Sequence, residues 1–115
     1  MPKVNIHAER RGNVVVIHAS GRVDSATAPV FEHALMSALD DGGYQLVVDF
    51  AGVDYISSAG LRGLLVAGKR MRTLPNGKLV LCSLREQIRD VFEISGFLGI
   101  FSVTASLDAA IAQFS

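Results

Sequence analysis

The chain has 115 residues, 50% of them hydrophobic and 19% charged, a balance in which burial offsets the entropy of ordering and which excludes a disordered chain. With 11 lysines and arginines against 11 aspartates and glutamates, no net charge draws it onto nucleic acid or an anionic membrane. The opening Met1-Pro2-Lys3-Val4-Asn5-Ile6 lacks the apolar core of a signal peptide, and no run approaches the roughly 18 apolar residues of a membrane helix, so the expectation is one cytoplasmic domain over 1–115 with no membrane insertion.

Val4, Ile6 and Ala8 alternate with Asn5, His7 and Glu9, the period-two pattern of a strand with one wet face. Arg11-Gly12-Asn13 offers a turn, and Val14-Val15-Val16-Ile17 follows as a more buried strand, so the chain opens with a β-hairpin. From about Ser25 to Asp40, Val30, Phe31, Ala34, Leu35, Ala38 and Leu39 recur at helical spacing. Pro29 is tolerated there because it falls in the first turn, and Gly42-Gly43 supplies the stop.

Tyr44 to Phe50 holds Leu46-Val47-Val48 between turn signals, too continuously apolar for a strand with a solvated face, and reads as a central strand. Leu61, Leu64, Leu65, Gly68 and Met71 then line one face of a helix from near Ser58 to just before Pro75-Asn76-Gly77. Lys78 to Cys82 is another buried strand. Ser83-Leu84-Arg85-Glu86 has the form of a capping box opening a third helix, which Gly96 ends. Phe101 to Ala105 supplies a last strand, and Ser106, with Asp108 in the following turn, caps a terminal helix that buries Leu107, Ala110, Ile111 and Phe114.

The order is ββαβαβαβα. After the hairpin each strand is followed by a helix, and such crossovers make neighbouring strands parallel with right-handed connections. The expected fold is therefore α/β, a mixed, mainly parallel sheet covered by helices.

Little in the chain points to catalysis. His7, His18 and His33 fall on separate elements without metal-ligand spacing, and no glycine-rich phosphate loop follows the first parallel strand, so neither a metal nor a nucleotide cofactor is expected. The one cysteine, Cys82, lies in an apolar run and reads as a buried, inert thiol. Ser58-Ala59-Gly60 matches half of a G-x-S-x-G nucleophile elbow, but Ile56 stands where that turn needs glycine. The chain is not expected to be an enzyme.

The segment Asp54-Tyr55-Ile56-Ser57-Ser58-Ala59-Gly60-Leu61 stands out, with two hydroxyls opening a helix behind a central strand. Ser57 or Ser58 can serve simply as the N-cap, accepting a free backbone N–H. The same geometry suits a phosphate, because free amides and the positive end of the helix dipole favour an anion, and Arg62 follows one turn later. A phosphate adds roughly −1.5 to −2 charges, tolerable at a helix start and repulsive in an acidic interface.

Two segments carry a resemblance to the STAS family and, within it, to the bacterial anti-sigma-factor antagonists. Gly21-Arg22-Val23-Asp24 is similar to the family's glycine-x-[leucine/valine]-aspartate signature, and Val53 to Arg62 is similar to its more specific serine motif; Val91-Phe92-Glu93-Ile94-Ser95-Gly96-Phe97 resembles the ending of its third helix. The resemblance implies a STAS-like fold and a protein that, unphosphorylated, binds an anti-sigma factor and so frees a sigma factor. That partner is often an ATP-dependent serine kinase, and a phosphatase reverses its action. By alignment Ser58 takes the phosphate and Asp24 is the loop aspartate beside it. Familiar members carry aspartate immediately before the phosphorylated serine, where this chain has Ser57, so Ser57 stands as a second acceptor. Asp54, expected in the preceding turn, does not replace that aspartate. Asp24, Ser25, Ser57, Ser58 and Arg62 are expected to form one rim of the partner surface. The alternative is an unphosphorylated scaffold subunit of a signalling or membrane transport complex, with Ser58 as a helix cap only.

Overall fold

The computed structural model describes residues 3–42 and 44–114. Among them the chain forms β1 (Val4–Arg11), β2 (Val14–Val23), α1 (Ala28–Asp40), β3 (Gln45–Ile56), α2 (Ser58–Met71), β4 (Lys78–Cys82), α3 (Glu86–Ile94), a 3-10 turn at Phe97–Gly99, β5 (Ser102–Thr104) and α4 (Leu107–Ala112). The sheet runs in the order β1-β2-β3-β4-β5. The β1–β2 hairpin is antiparallel, with His7 opposite His18 and Arg11 opposite Val14; the other three pairings are parallel. The expected ββαβαβαβα order and mixed sheet are both present.

Each parallel strand is added beside the one before it. Three successive right-handed crossovers in one direction place their helices on the same face. Accordingly Phe31, Leu35 and Leu39 of α1, Leu61, Leu64 and Met71 of α2, and Ile88 and Phe92 of α3 share one core with Val15, Ile17, Leu46, Val48, Phe50 and Leu81 of the strands. The alternate strand residues Val14, Val16, Val47, Val80 and Cys82 point the other way and pack under Ala110 of α4. Both faces of the central strands are thus covered, which is why they read as unbroken apolar runs.

Three boundaries differ from expectation, each for a local reason. The first helix begins at Ala28 rather than Ser25, because Asp24–Thr27 forms a tight turn ahead of it; Pro29 still falls in the first turn. The central strand continues past Phe50 to Ile56. Beyond Asp49 it pairs only with β2, as a β2–β3 ribbon from Ser20 opposite Gly52 to Val23 opposite Ile56, and its outer residues are exposed enough to hide the strand pattern. Asp54 lies on this ribbon rather than in a turn.

The capping box is also corrected. The third helix starts at Glu86, with Arg85 at the N-cap position and no side-chain cap bond. Ser83 has φ +61 and donates its backbone N–H to the Thr104 carbonyl at 3.2 Å, so it still belongs to the end of the sheet. The stop at Gly96, left-handed at φ 77, and the Ser106 cap on Ala109, at 3.1 Å, are as expected. Gly42 has φ +88; Gly43 lies outside the described residues. None of the described helices is long and apolar enough to cross a membrane.

Candidate functional site: a serine-headed groove between two helices

The β2–β3 ribbon builds the site by ending both strands at one place. Ser57 donates its backbone N–H to the Val23 carbonyl at 2.8 Å, tying the start of α2 to the end of β2. Asp24 and its loop therefore lie beside Ser57. Gly60 is required by this approach, since a Cβ there would stand 2.7 Å from Val23 Cγ1 and 2.8 Å from Ile56 Cγ1. Without a side chain, the first turn of α2 settles directly on the sheet.

The two serines divide the work. The Ser57 hydroxyl is the N-cap of α2, accepting the Gly60 N–H at 3.4 Å, and Ser57 is half-buried. Ser58 is the first residue of the helix proper and is exposed. Four backbone N–H groups at a helix start lack intrahelical partners, and the Ser57 cap takes one of them.

Asp24 is turned inward on its own loop. One carboxylate oxygen accepts the N–H of Ala26 at 2.9 Å and that of Thr27 at 3.0 Å. These bonds, the Thr27 backbone foremost and then Ala26 and the Thr27 hydroxyl, with Arg22 nearby, hold the carboxyl below the ordinary aspartate range against the opposing effect of burial. Arg22 in turn lies over the Tyr55 ring, 4.3 Å from its centroid. Asp24 thus shapes the loop rather than presenting a free charge.

Beside Ser58 a groove of about 800 Å³ opens between α1 and α2. Ser25, Ser58 and Arg62 line it together, so the structure brings three of the expected rim residues to one surface; Ser57 and Asp24 do not line it and stand behind it as positioning residues. The other walls come from Pro29, Glu32, His33 and Met36 of α1 and Ala59 and Val66 of α2. Sequence reasoning did not single these out. Their signal was present as the stripes 29, 32/33, 36 and 58/59, 62, 66, which recur at helical spacing on the sides turned away from the core.

The same sheet also brings His7 and His18 together. They are cross-strand partners with stacked rings 6.0 Å apart, although in sequence they lie on separate elements. Among the described residues no group of three potential metal ligands converges. The Cys82 thiol is buried, and burial pushes it up to about 11.

A hairpin leading into three parallel βα units, with a serine-headed helix beside an open groove, is the arrangement of a STAS-type domain. Residues 5–110 match the STAS domain family model, and the chain belongs to that family. It is 49% identical over 94 residues to BtrV of Bordetella bronchiseptica, which bears the name of an anti-sigma factor antagonist; the match covers 82% of this chain and 80% of BtrV. An anti-sigma factor antagonist from Mycobacterium paratuberculosis superposes with a TM-score of 0.90 at 23% identity, covering 96% of this chain and 93% of the other. The Bacillus cell fate determinant SpoIIAA in its phosphorylated form superposes with a TM-score of 0.74 at 21% identity, over 96% of this chain and 100% of SpoIIAA. The anti-sigma factor antagonists of the STAS family are non-enzymatic regulators, and the chain takes its place among them.

Proposed function

We propose that residues 1–115 act as a single cytoplasmic switch that binds an anti-sigma factor while Ser58 carries no phosphate and releases it when Ser58 is phosphorylated. The observation that carries this reading is the division of labour at the start of α2: Ser57 caps Gly60, while Ser58 stands exposed at the mouth of the groove with Arg62 one turn on. The kinase is the anti-sigma factor itself, transferring the γ-phosphoryl group of ATP to Ser58 Oγ with release of ADP and the hydroxyl proton. A phosphatase returns the serine. The kinship with BtrV and the family match support the partner class.

A phosphate at this position meets the free N–H groups and the positive end of α2, worth about 0.3–1 kcal/mol at an exposed helix start. Folding is therefore little disturbed. In a complex the same roughly −1.5 to −2 charges must be desolvated against the partner, and binding is lost.

The test is to incubate the chain with its cognate anti-sigma kinase and ATP, map the phosphate by mass spectrometry, and measure partner affinity by calorimetry. Phosphate is expected on Ser58 in the wild type and in Ser57→Ala, with none in Ser58→Ala. Ser58→Asp should bind the partner at least about tenfold more weakly. Wild-type affinity in Ser58→Asp would overturn the switch and favour a constitutive scaffold, in which Ser58 has no regulatory part.

A further inference from the structure

On the sheet face that α4 leaves open, well away from Ser58, three neighbouring strands contribute one side chain each to a line of bonds. His18 of β2 places Nδ1 2.8 Å from Asp49 Oδ2 of β3 and Nε2 3.0 Å from Glu9 Oε1 of β1. The cluster is partly shielded: side-chain exposure is 29% for His18, 33% for Glu9 and 13% for Asp49. His7 of β1 stacks on the His18 ring, and Arg11 Nε of β1 stands 3.0 Å from the same Glu9 oxygen. Beyond Asp49, β4 presents the buried Cys82, whose raised thiol reflects burial first and the nearby Asp49 charge in part.

Proton counting fixes the state of this ring. A neutral imidazole has one N–H and one lone pair, so it can donate to only one of two carboxylates; donating to both requires the imidazolium. We infer that charged His18 is a pH-responsive staple joining the edge strand β1 to the central strand β3, and that its deprotonation releases β1.

The direction of release follows from the two carboxylates. Asp49 is the more buried, and its other oxygen is held by the Ala51 N–H at 2.9 Å. A neutral ring keeps its single proton on Nδ1, facing Asp49. The Nε2 lone pair then faces Glu9, which retains Arg11, and the link to β1 becomes a repulsion. Among the described residues β1 has no strand on its outer side, so this link is a polar side-chain tie from the edge to the interior, on the face opposite the core packing of Val4 and Ile6.

The ring environment agrees. Partial burial lowers the His18 pKa, but the bonds and charges of Glu9 and Asp49 outweigh it and hold the group above the ordinary histidine value. A raised folded-state pKa means that the stabilisation is fully present below the unfolded value of about 6.5 and is lost as pH rises through the folded value.

The experiment is a nitrogen-15 NMR titration of the histidine rings of the full chain, with amide-exchange protection factors for β1 measured at pH 6 and pH 9. Wild-type His18 should titrate above about 6.5, with both ring nitrogens protonated at pH 6 and the proton on Nδ1 at pH 9. β1 protection should fall severalfold between these pH values. In Glu9→Gln the His18 pKa should drop, and β1 protection should hardly change with pH. A wild-type pKa at or below about 6.5, or β1 protection that follows the same pH course in wild type and Glu9→Gln, would overturn the proposal. Asp49→Asn gives a second reading, since it should lower the pKa independently of β1.

Discussion

Asp24 and Thr27 hold each other: the Thr27 hydroxyl accepts the Asp24 N–H at 2.9 Å, while a carboxylate oxygen of Asp24 accepts the Thr27 N–H at 3.0 Å. The single hydroxyl proton of Thr27 is shared between the Arg22 carbonyl at 2.7 Å and the Asp24 carboxylate at 3.2 Å. The loop between β2 and α1 is therefore locked beside Ser57, and the aspartate of the family signature here serves the loop that borders the groove.

Removing that lock should loosen the site before it unfolds the domain. Thr27→Val keeps the shape and deletes the hydroxyl's bonds, with an expected loss of about 1 kcal/mol in urea denaturation. Asp24→Ala should lower the urea midpoint, and the double variant should lose less than the two losses added, because both delete one network.

Acid should reveal the same contact. The Asp24 pKa is depressed in the fold, so its contribution is present above the unfolded value of about 3.9 and disappears as pH falls through the lower folded value. Asp24→Asn keeps the acceptor oxygen without the charge. The stability advantage of wild type over Asp24→Asn should therefore shrink between about pH 5 and pH 3, as measured by thermal melts in matched buffers.

The two serines should separate cleanly in stability. Ser57→Ala removes the cap on Gly60 and should cost about 0.5–1 kcal/mol, at the lower end of cap losses because the 3.4 Å bond is long. Ser58→Ala, on an exposed first helical turn, should leave the melting temperature nearly unchanged. Equal losses at the two positions would contradict the assignment of Ser57 as the cap.

Gly60→Ala opposes two effects. Alanine gains about 1 kcal/mol of helix propensity over glycine, yet its methyl must displace Val23 and Ile56, and overpacking of that kind costs about 1–3 kcal/mol. A net loss of about 1 kcal/mol is expected, together with shifted amide resonances at Ser57 and Ser58 as the helix start lifts from the sheet.

Cys82 should be silent in the folded protein. With its thiol pushed up to about 11 and buried on the α4 side of the sheet, only about a thousandth is thiolate at pH 8. A disulfide reagent should label it slowly in native buffer and within seconds in denaturant.

Much of this architecture was legible in the chain because it rests on local pattern. The apolar run Leu46-Val47-Val48 marked a strand buried on both faces, Ser106 marked its own helix start, and alternating strands and helices dictated a parallel sheet with right-handed crossovers. The false capping box shows where local pattern fails: Ser83 and Glu86 have the right spacing, but the sheet keeps the backbone of Ser83 for Thr104. The long β2–β3 ribbon was also hidden, since exposed residues such as Arg22 and Asp54 and the intervening Gly52 interrupt its apolar pattern.

At the site itself, local pattern was enough to place a pair of serines at the head of a helix behind a central strand, with an arginine one turn later. Tertiary structure decided which serine is which, because only the approach of Val23 and Ile56 to Gly60 fixes the cap on Ser57 and leaves Ser58 exposed. It decided, too, that Asp24 is spent on its loop and that His18 lies between Glu9 and Asp49. Those relationships depend on strand register and on close packing between distant segments, and neither is encoded in the spacing of any one stretch of chain.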